Sequence, residues 1–168
     1  MKRNIQKIVL PSIFAALICI TTLIITIPLP TKSGYINLGD SLILTISTMF
    51  GAMVGSFSGA IGSSIADLIL APIYAPFTFF IKFFEGFICG IVNKKNINNS
   101  FFIRLIGAFL GTLIMISGYF LVELFLFDFN TALINLTYNL IQAGVSIVLY
   151  LLLSKIFLTL KLKNHNNK

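Results

Sequence analysis

Three ionisable residues, Asp67, Lys82 and Glu85, lie inside a stretch, residues 39–93, that is otherwise almost entirely apolar or small. A charge near the middle of a bilayer costs about 2.5–3.5 kcal/mol on insertion scales, so it persists only when paired or turned to a polar cavity. Lys82 and Glu85 are three apart, which puts both heads on one helix face. Such a pair either neutralises itself internally or lines a cavity with one or both heads open to a ligand. A second polar set, Asn135, Tyr138, Asn139, Gln142 and Ser146, follows the i, i+3, i+4, i+7, i+11 spacing of one helix stripe. Buried amides in lipid serve as glue between helices. Five polar residues in line go beyond glue and read as the wall of a polar pocket. Tyr119 and Glu123 add a further pair at helical spacing, although Glu123 alone would also suit an interface marker.

Little else in the chain could do chemistry. No Gly-rich phosphate loop, HExxH or CxxC pattern occurs. The single His165 lies in a polar tail, and Cys19 and Cys89 fall inside apolar runs as small packing residues. No metal site or cofactor is expected, and the chain is not expected to be an enzyme. The alternatives are a stand-alone permease, a small intramembrane enzyme using Asp67 and Glu85 as acid and base, and a structural subunit whose polar residues are glue.

The elements that must position these residues are membrane helices. The chain is 57% hydrophobic and 10% charged with mean hydropathy +0.99, outside the range of soluble domains. Apolar runs predict six transmembrane helices, at about 8–27, 39–55, 58–72, 75–92, 102–126 and 131–156, in a single all-α domain over 1–160 with a polar tail, 161–168. The first run, long for a signal segment and ending in Pro28-Leu29-Pro30, reads as a retained helix. The net charge of +7 does not point to nucleic acid. Ten of the twelve basic residues cluster at the N-terminus, near residues 94–104 and at the C-terminus, which the positive-inside bias explains. Both termini are then cytoplasmic. Gly55 to Gly59 is expected as an inner turn between the second and third helices, and Ala71 to Pro76 as an outer turn.

Small residues recur at three- or four-residue spacing, as Gly51, Gly55, Gly59, Gly62 and Ala66, and allow close helix packing in lipid. On the first helix, Ser12, Ala15, Ala16 and Cys19 form a smooth stripe facing either another helix of this chain or another subunit. Loop 28–38 carries Lys32, Tyr35 and Asn37. Asp40 reads as a cap on the second helix, and Asp67 as an acceptor for backbone N–H groups of a neighbouring loop. The polar residues thus converge on the outer half of the bundle, and no matching set is seen in the inner half.

The runs Gly34-Tyr35-Ile36-Asn37-Leu38-Gly39-Asp40, Gly59 to Leu68, Tyr74 to Thr78 and Ile81-Lys82-Phe83-Phe84-Glu85-Gly86 resemble the substrate-binding S component of energy-coupling factor (ECF) vitamin transporters, nearest the pyridoxine, hydroxymethylpyrimidine and riboflavin branch. That resemblance, over residues 8–155, implies six helices and a ligand near the outer face, under the loop after the first helix. It maps the site to Tyr35, Asn37, Lys82, Glu85 and Asn139, beside which the polar stripe adds Tyr138 and Gln142. It implies a small heterocyclic vitamin as substrate, with a transmembrane coupling subunit and two cytosolic ATPases as partners in a bacterial cell membrane. The family's Ala-x-x-x-Ala patch is replaced here by Ser12/Ala16 and Ala15/Cys19 as the coupling-subunit interface.

Overall fold

The computed structural model describes residues 2–31, 34–94 and 100–166, with side chains described between 8 and 157. Lys32, Lys95 and Lys168 lie outside the described residues. The chain forms α1 (Lys2–Ile24), a hairpin of β1 (Thr26–Pro28) and β2 (Tyr35–Asn37), then α2 (Gly39–Phe50), α3 (Ala52–Leu70), α4 (Ala75–Lys94), α5 (Phe101–Leu126) and α6 (Phe129–Asn166). Among the described residues four helices, α3 to α6, are long and apolar enough to cross a membrane.

The side-chain distribution is that of a protein solvated by lipid. Phe125 is 80% exposed and Phe102 72%, whereas Lys82 is 1% exposed and Asp40 and Glu85 are fully buried. Hydrocarbon replaces water around the outer faces, so the polar groups turn inward to find one another. The apolar core is correspondingly small. One cluster joins Leu44, Cys89, Ala108 and Tyr150, and another Ile18, Ile43 and Ile46.

The joint between α2 and α3 falls at Gly51, not at the expected turn over 55–59. Gly51 has φ 102°, a backbone state that only glycine adopts without strain. At 12 residues α2 is about 18 Å long, well short of a bilayer core of about 30 Å. The small residues among 55–59, Gly55, Ser56, Ser58 and Gly59, serve a different purpose. They lie within α3, where a Cβ on Gly55 would meet Ser47 of α2 and one on Gly59 would meet Ile43. Close helix packing and a turn call for the same residue types. Gly62 likewise lets α1 approach, since a Cβ there would overlap the carbonyl of Ala15.

Loop 28–38 is also more ordered than a loop. Helix α1 ends at Ile24, and Thr26 pairs with Asn37, Ile27 with Ile36 and Pro28 with Tyr35. The Leu29 N–H closes the hairpin on the Gly34 carbonyl at 2.9 Å. The 71–76 turn lies where expected, with Tyr74 and Ala75 N–H groups bonded to Ala71 and Pro72 carbonyls. Helix α6 continues to Asn166, so residues 161–166 are helical.

Candidate ligand-binding site

The site is built around Lys82. Its ammonium donates to Asp40 Oδ1, and to Glu85 Oε2 at 3.0 Å. The second oxygen of Asp40 accepts from Gln142 Nε2 at 2.7 Å. Gln142 Oε1 in turn accepts the backbone N–H of Asn37 at 2.9 Å. One chain of bonds therefore ties α4, α2, α6 and the base of the hairpin. Asp40 is not the expected cap, because both of its oxygens are taken by side chains. The neighbouring Gly39 N–H goes instead to Asn37 Oδ1 at 2.8 Å.

A second carboxylate holds the hairpin over this floor. Asp67 on α3 accepts from the Tyr35 phenol and from the Thr78 hydroxyl. It thus anchors a neighbouring segment, through hydroxyls rather than through backbone N–H groups. Thr78 also lies 3.0 Å from the Tyr119 hydroxyl. On the far side, Glu123 Oε1 accepts Asn135 Nδ2 at 3.0 Å, and the Tyr74 hydroxyl lies 3.5 Å from it. Thr31 donates to Asn135 Oδ1 at 2.7 Å, fastening the hairpin to α6.

These bonds enclose a cavity whose walls include Tyr35, Asp67, Lys82, Tyr119, Glu123 and Asn139. Tyr74 meets Tyr119 edge-on at 6.2 Å, and the Lys82 ammonium sits 5.4 Å from the Tyr119 ring centre. Aromatic faces and convergent polar groups are the usual make-up of a small-molecule pocket. A wider recess lies beyond the hairpin, lined by Pro28, Ile73 and Phe127 among others. Leu29, Gly34, Tyr35 and Ala71 line both spaces and lie between them.

Of the residues expected from sequence, Tyr35, Asn37, Lys82, Asn139 and Gln142 line the cavity. Glu85 does not. It is fully buried as the ion-pair partner of Lys82. Tyr138 is half-buried and does not line the cavity either, because it projects from the edge of the stripe carrying Asn135, Asn139 and Gln142. Thr22, Ser63 and Thr78 line it without having been singled out. In an apolar helix a hydroxyl usually bonds its own preceding turn, so it gives little signal. The α1 stripe divides. Ala15 is buried against α3, Ser12 and Ala16 are exposed, and Cys19 is half-buried.

The half of the bundle away from the hairpin also carries polar groups. Thr48 lies 3.0 Å from the Tyr150 hydroxyl and Arg104 Nη1 donates to Ser154 at 3.0 Å. Asn93 Nδ2 donates to the Cys89 carbonyl at 2.9 Å. The Thr48–Tyr150 and Arg104–Ser154 contacts join helices, as glue does, whereas Asn93 bonds back within α4. Among the described residues no cluster of His, Cys, Asp or Glu is arranged to hold a metal ion.

Fold and site together define a multi-pass helical membrane protein with a polar cavity closed by a hairpin. A family model for the ECF-type riboflavin transporter, S component, matches residues 2–159, and the chain belongs to that family. The family is one of transporter components and not of enzymes. A Pyrococcus woesei protein described only as uncharacterized, in a gap 3′ region, is 35% identical over 132 residues, 79% of this chain and 88% of the relative. In fold, the chain is similar to a solved S component of a bacterial ECF transporter. The TM-score is 0.68 at 16% identity, over 98% of this chain and 99% of that one.

Proposed function

We propose that this chain is the substrate-capture subunit of an ATP-driven ECF importer, holding a small heterocyclic vitamin or vitamin precursor at the outer face of the cell membrane. The observation that carries this is the cavity under the 26–37 hairpin, lined by Lys82, Asn139 and Gln142 and walled by Tyr35 and Tyr119. Its polar groups fix an edge of the ligand, and its aromatic rings take the ligand's faces. Among the described residues, Thr48 and Arg104 at the other end of the bundle bond to Tyr150 and Ser154. The chain works with partners, a transmembrane coupling subunit and two cytosolic ATPases. In this reading both termini are cytoplasmic and the exposed stripe of Ser12 and Ala16 meets the coupling subunit, with Cys19 at its margin. Mass spectrometry of protein purified in mild detergent is expected to find a bound heterocycle. A panel of riboflavin, pyridoxine and hydroxymethylpyrimidine is expected to raise the melting temperature for at least one. Absence of both a bound molecule and any shift would overturn the capture role.

A further inference from the structure

We infer that the end of the bundle opposite the hairpin holds the phosphate of an anionic phospholipid, with Arg104 as the anchor and Lys94 and Lys155 beside it. This site is independent of what the cavity binds.

The charge distribution calls for an anion from outside the chain. The sequence has twelve Lys and Arg but five Asp and Glu. Asp40, Asp67, Glu85 and Glu123 are buried and bonded in and beneath the cavity. Asp128 lies in the α5–α6 turn, bonded to Thr131. Arg104 sits in the first turn of α5, and a rise of about 28 Å separates it from Glu123 along that helix. Glu85 is closer, since a Cβ on Gly111, two turns above Arg104, would meet its carbonyl. Its carboxylate, however, is paired with Lys82. Helix packing brings two more cations to the same end. Asn93, which precedes Lys94, abuts Gly107 of α5, and Ser154, which precedes Lys155, bonds Arg104. Lys94 and Lys155 are both exposed.

The guanidinium is set in place rather than loose in solvent. Arg104 Nη1 donates to Ser154 Oγ at 3.0 Å, and Ser154 donates onward to the Leu151 carbonyl at 3.0 Å. Arg104 Nε is buried and has no hydrogen-bond partner. An unmade bond on a charged donor is costly, and the planar guanidinium fork matches a pair of phosphate oxygens. The surroundings select a phospholipid over a soluble anion or an acidic peptide. Phe101, Phe102, Ile156 and Phe157 flank Arg104 and Lys155 and are exposed. Such side chains call for hydrocarbon, while the cations within a turn of them call for an anionic headgroup. One phospholipid supplies both, acyl chains to the aromatic and aliphatic faces and phosphate to Arg104. Three cations at one end favour a headgroup of net negative charge over a zwitterionic one.

The test is native mass spectrometry of the full chain, purified in detergent, stripped of lipid and titrated with phosphatidylglycerol or phosphatidylcholine of the same acyl chains. The first phosphatidylglycerol is expected to bind about tenfold tighter than phosphatidylcholine, the scale of charge-assisted hydrogen bonds. Arg104→Gln is expected to abolish that preference. Arg104→Lys should keep only part of it, because the charge stays and the fork is lost. Lys7→Gln, which removes one charge near the N-terminus, should leave it unchanged. Equal affinity of the wild-type chain for the two lipids would overturn the site. Equal weakening in Arg104→Gln and Lys7→Gln would reduce it to diffuse attraction and overturn the assignment to Arg104. Displacement of the bound lipid by millimolar inorganic phosphate would overturn the choice of a lipid over a free anion. If Arg104→Gln does not fold, Arg104→Lys decides, and an undiminished preference there would overturn the role of the fork.

Discussion

Tyr35 on the hairpin donates its phenol hydrogen to Asp67 on α3, and this bond joins the cover of the cavity to its wall. Asp67 also accepts from Thr78 on α4, so both oxygens of the carboxylate help to hold the structure together. Removing the Tyr35 hydroxyl leaves a buried carboxylate oxygen without a donor, at a cost of about 1–3 kcal/mol, and loosens the hairpin. Tyr35→Phe is therefore expected to speed ligand release about tenfold in stopped-flow displacement, about 1.4 kcal/mol of lost closure. An unaltered release rate would mean that the Thr31 and Asn37 contacts alone keep the hairpin shut.

Lys82 lines the cavity, yet its main energetic role is to neutralise Asp40 and Glu85. Removing one member of a buried charge network leaves the others uncompensated, which typically costs about 3–5 kcal/mol. Lys82→Met is expected to lower the ligand-free melting temperature sharply. The triple variant Lys82→Met, Asp40→Asn, Glu85→Gln should regain much of that loss, since no buried charge is then left alone. Equal melting temperatures for the single and triple variants would show that the loss does not come from uncompensated buried charge.

The six helices are legible in the sequence because lipid imposes long apolar segments on them, and Lys82, Asn139 and Gln142 are legible because polar groups stand out against such a background. The α2–α3 joint is not. Gly55, Ser56 and Gly59 serve close packing, and nothing local separates that role from a turn, whereas Gly51 alone bends the chain. Thr26 and Ile27 continue the apolar run of α1 but, being β-branched and followed by Pro28, pair with β2 instead. Asp40 sits where a cap belongs. Its actual partners come from residues 82 and 142, and no pattern along one segment could reveal them.

Asp128, in the α5–α6 turn, accepts the Thr131 backbone N–H at 3.0 Å and its hydroxyl at 2.8 Å. These bonds hold its carboxyl below the usual carboxylate range. A folded value below the unfolded one, about 3.9, means that the cap stabilises the fold above the unfolded value. The contribution is lost as pH falls through the lower folded value. Asp128→Ala is expected to lower the melting temperature slightly at neutral pH, with the gap to wild type closing in acid. A gap that persists at acid pH would assign the effect to something other than this ionised cap.

Ala16 is exposed on α1, beside Ser12, while Ala15 and Ile18 on the adjoining face pack against the body of the protein. The cavity takes only Thr22 from this helix, nearly two turns from Ala16. A bulky side chain at Ala16 therefore reaches neither the core nor the ligand, but it roughens a surface smooth enough for another helix to approach closely. Ala16→Leu is expected to leave ligand affinity and melting temperature unchanged. In cells carrying the full transporter it should reduce vitamin uptake by about tenfold, the scale of about 1.4 kcal/mol lost from a helix contact. Ile13→Leu, a volume-conserving change at an exposed position already bulky, is the control and should transport normally. Equal loss of binding and uptake in Ala16→Leu would mean that α1 shapes the cavity rather than meeting a partner. Unimpaired uptake would place the coupling surface on another face of the bundle.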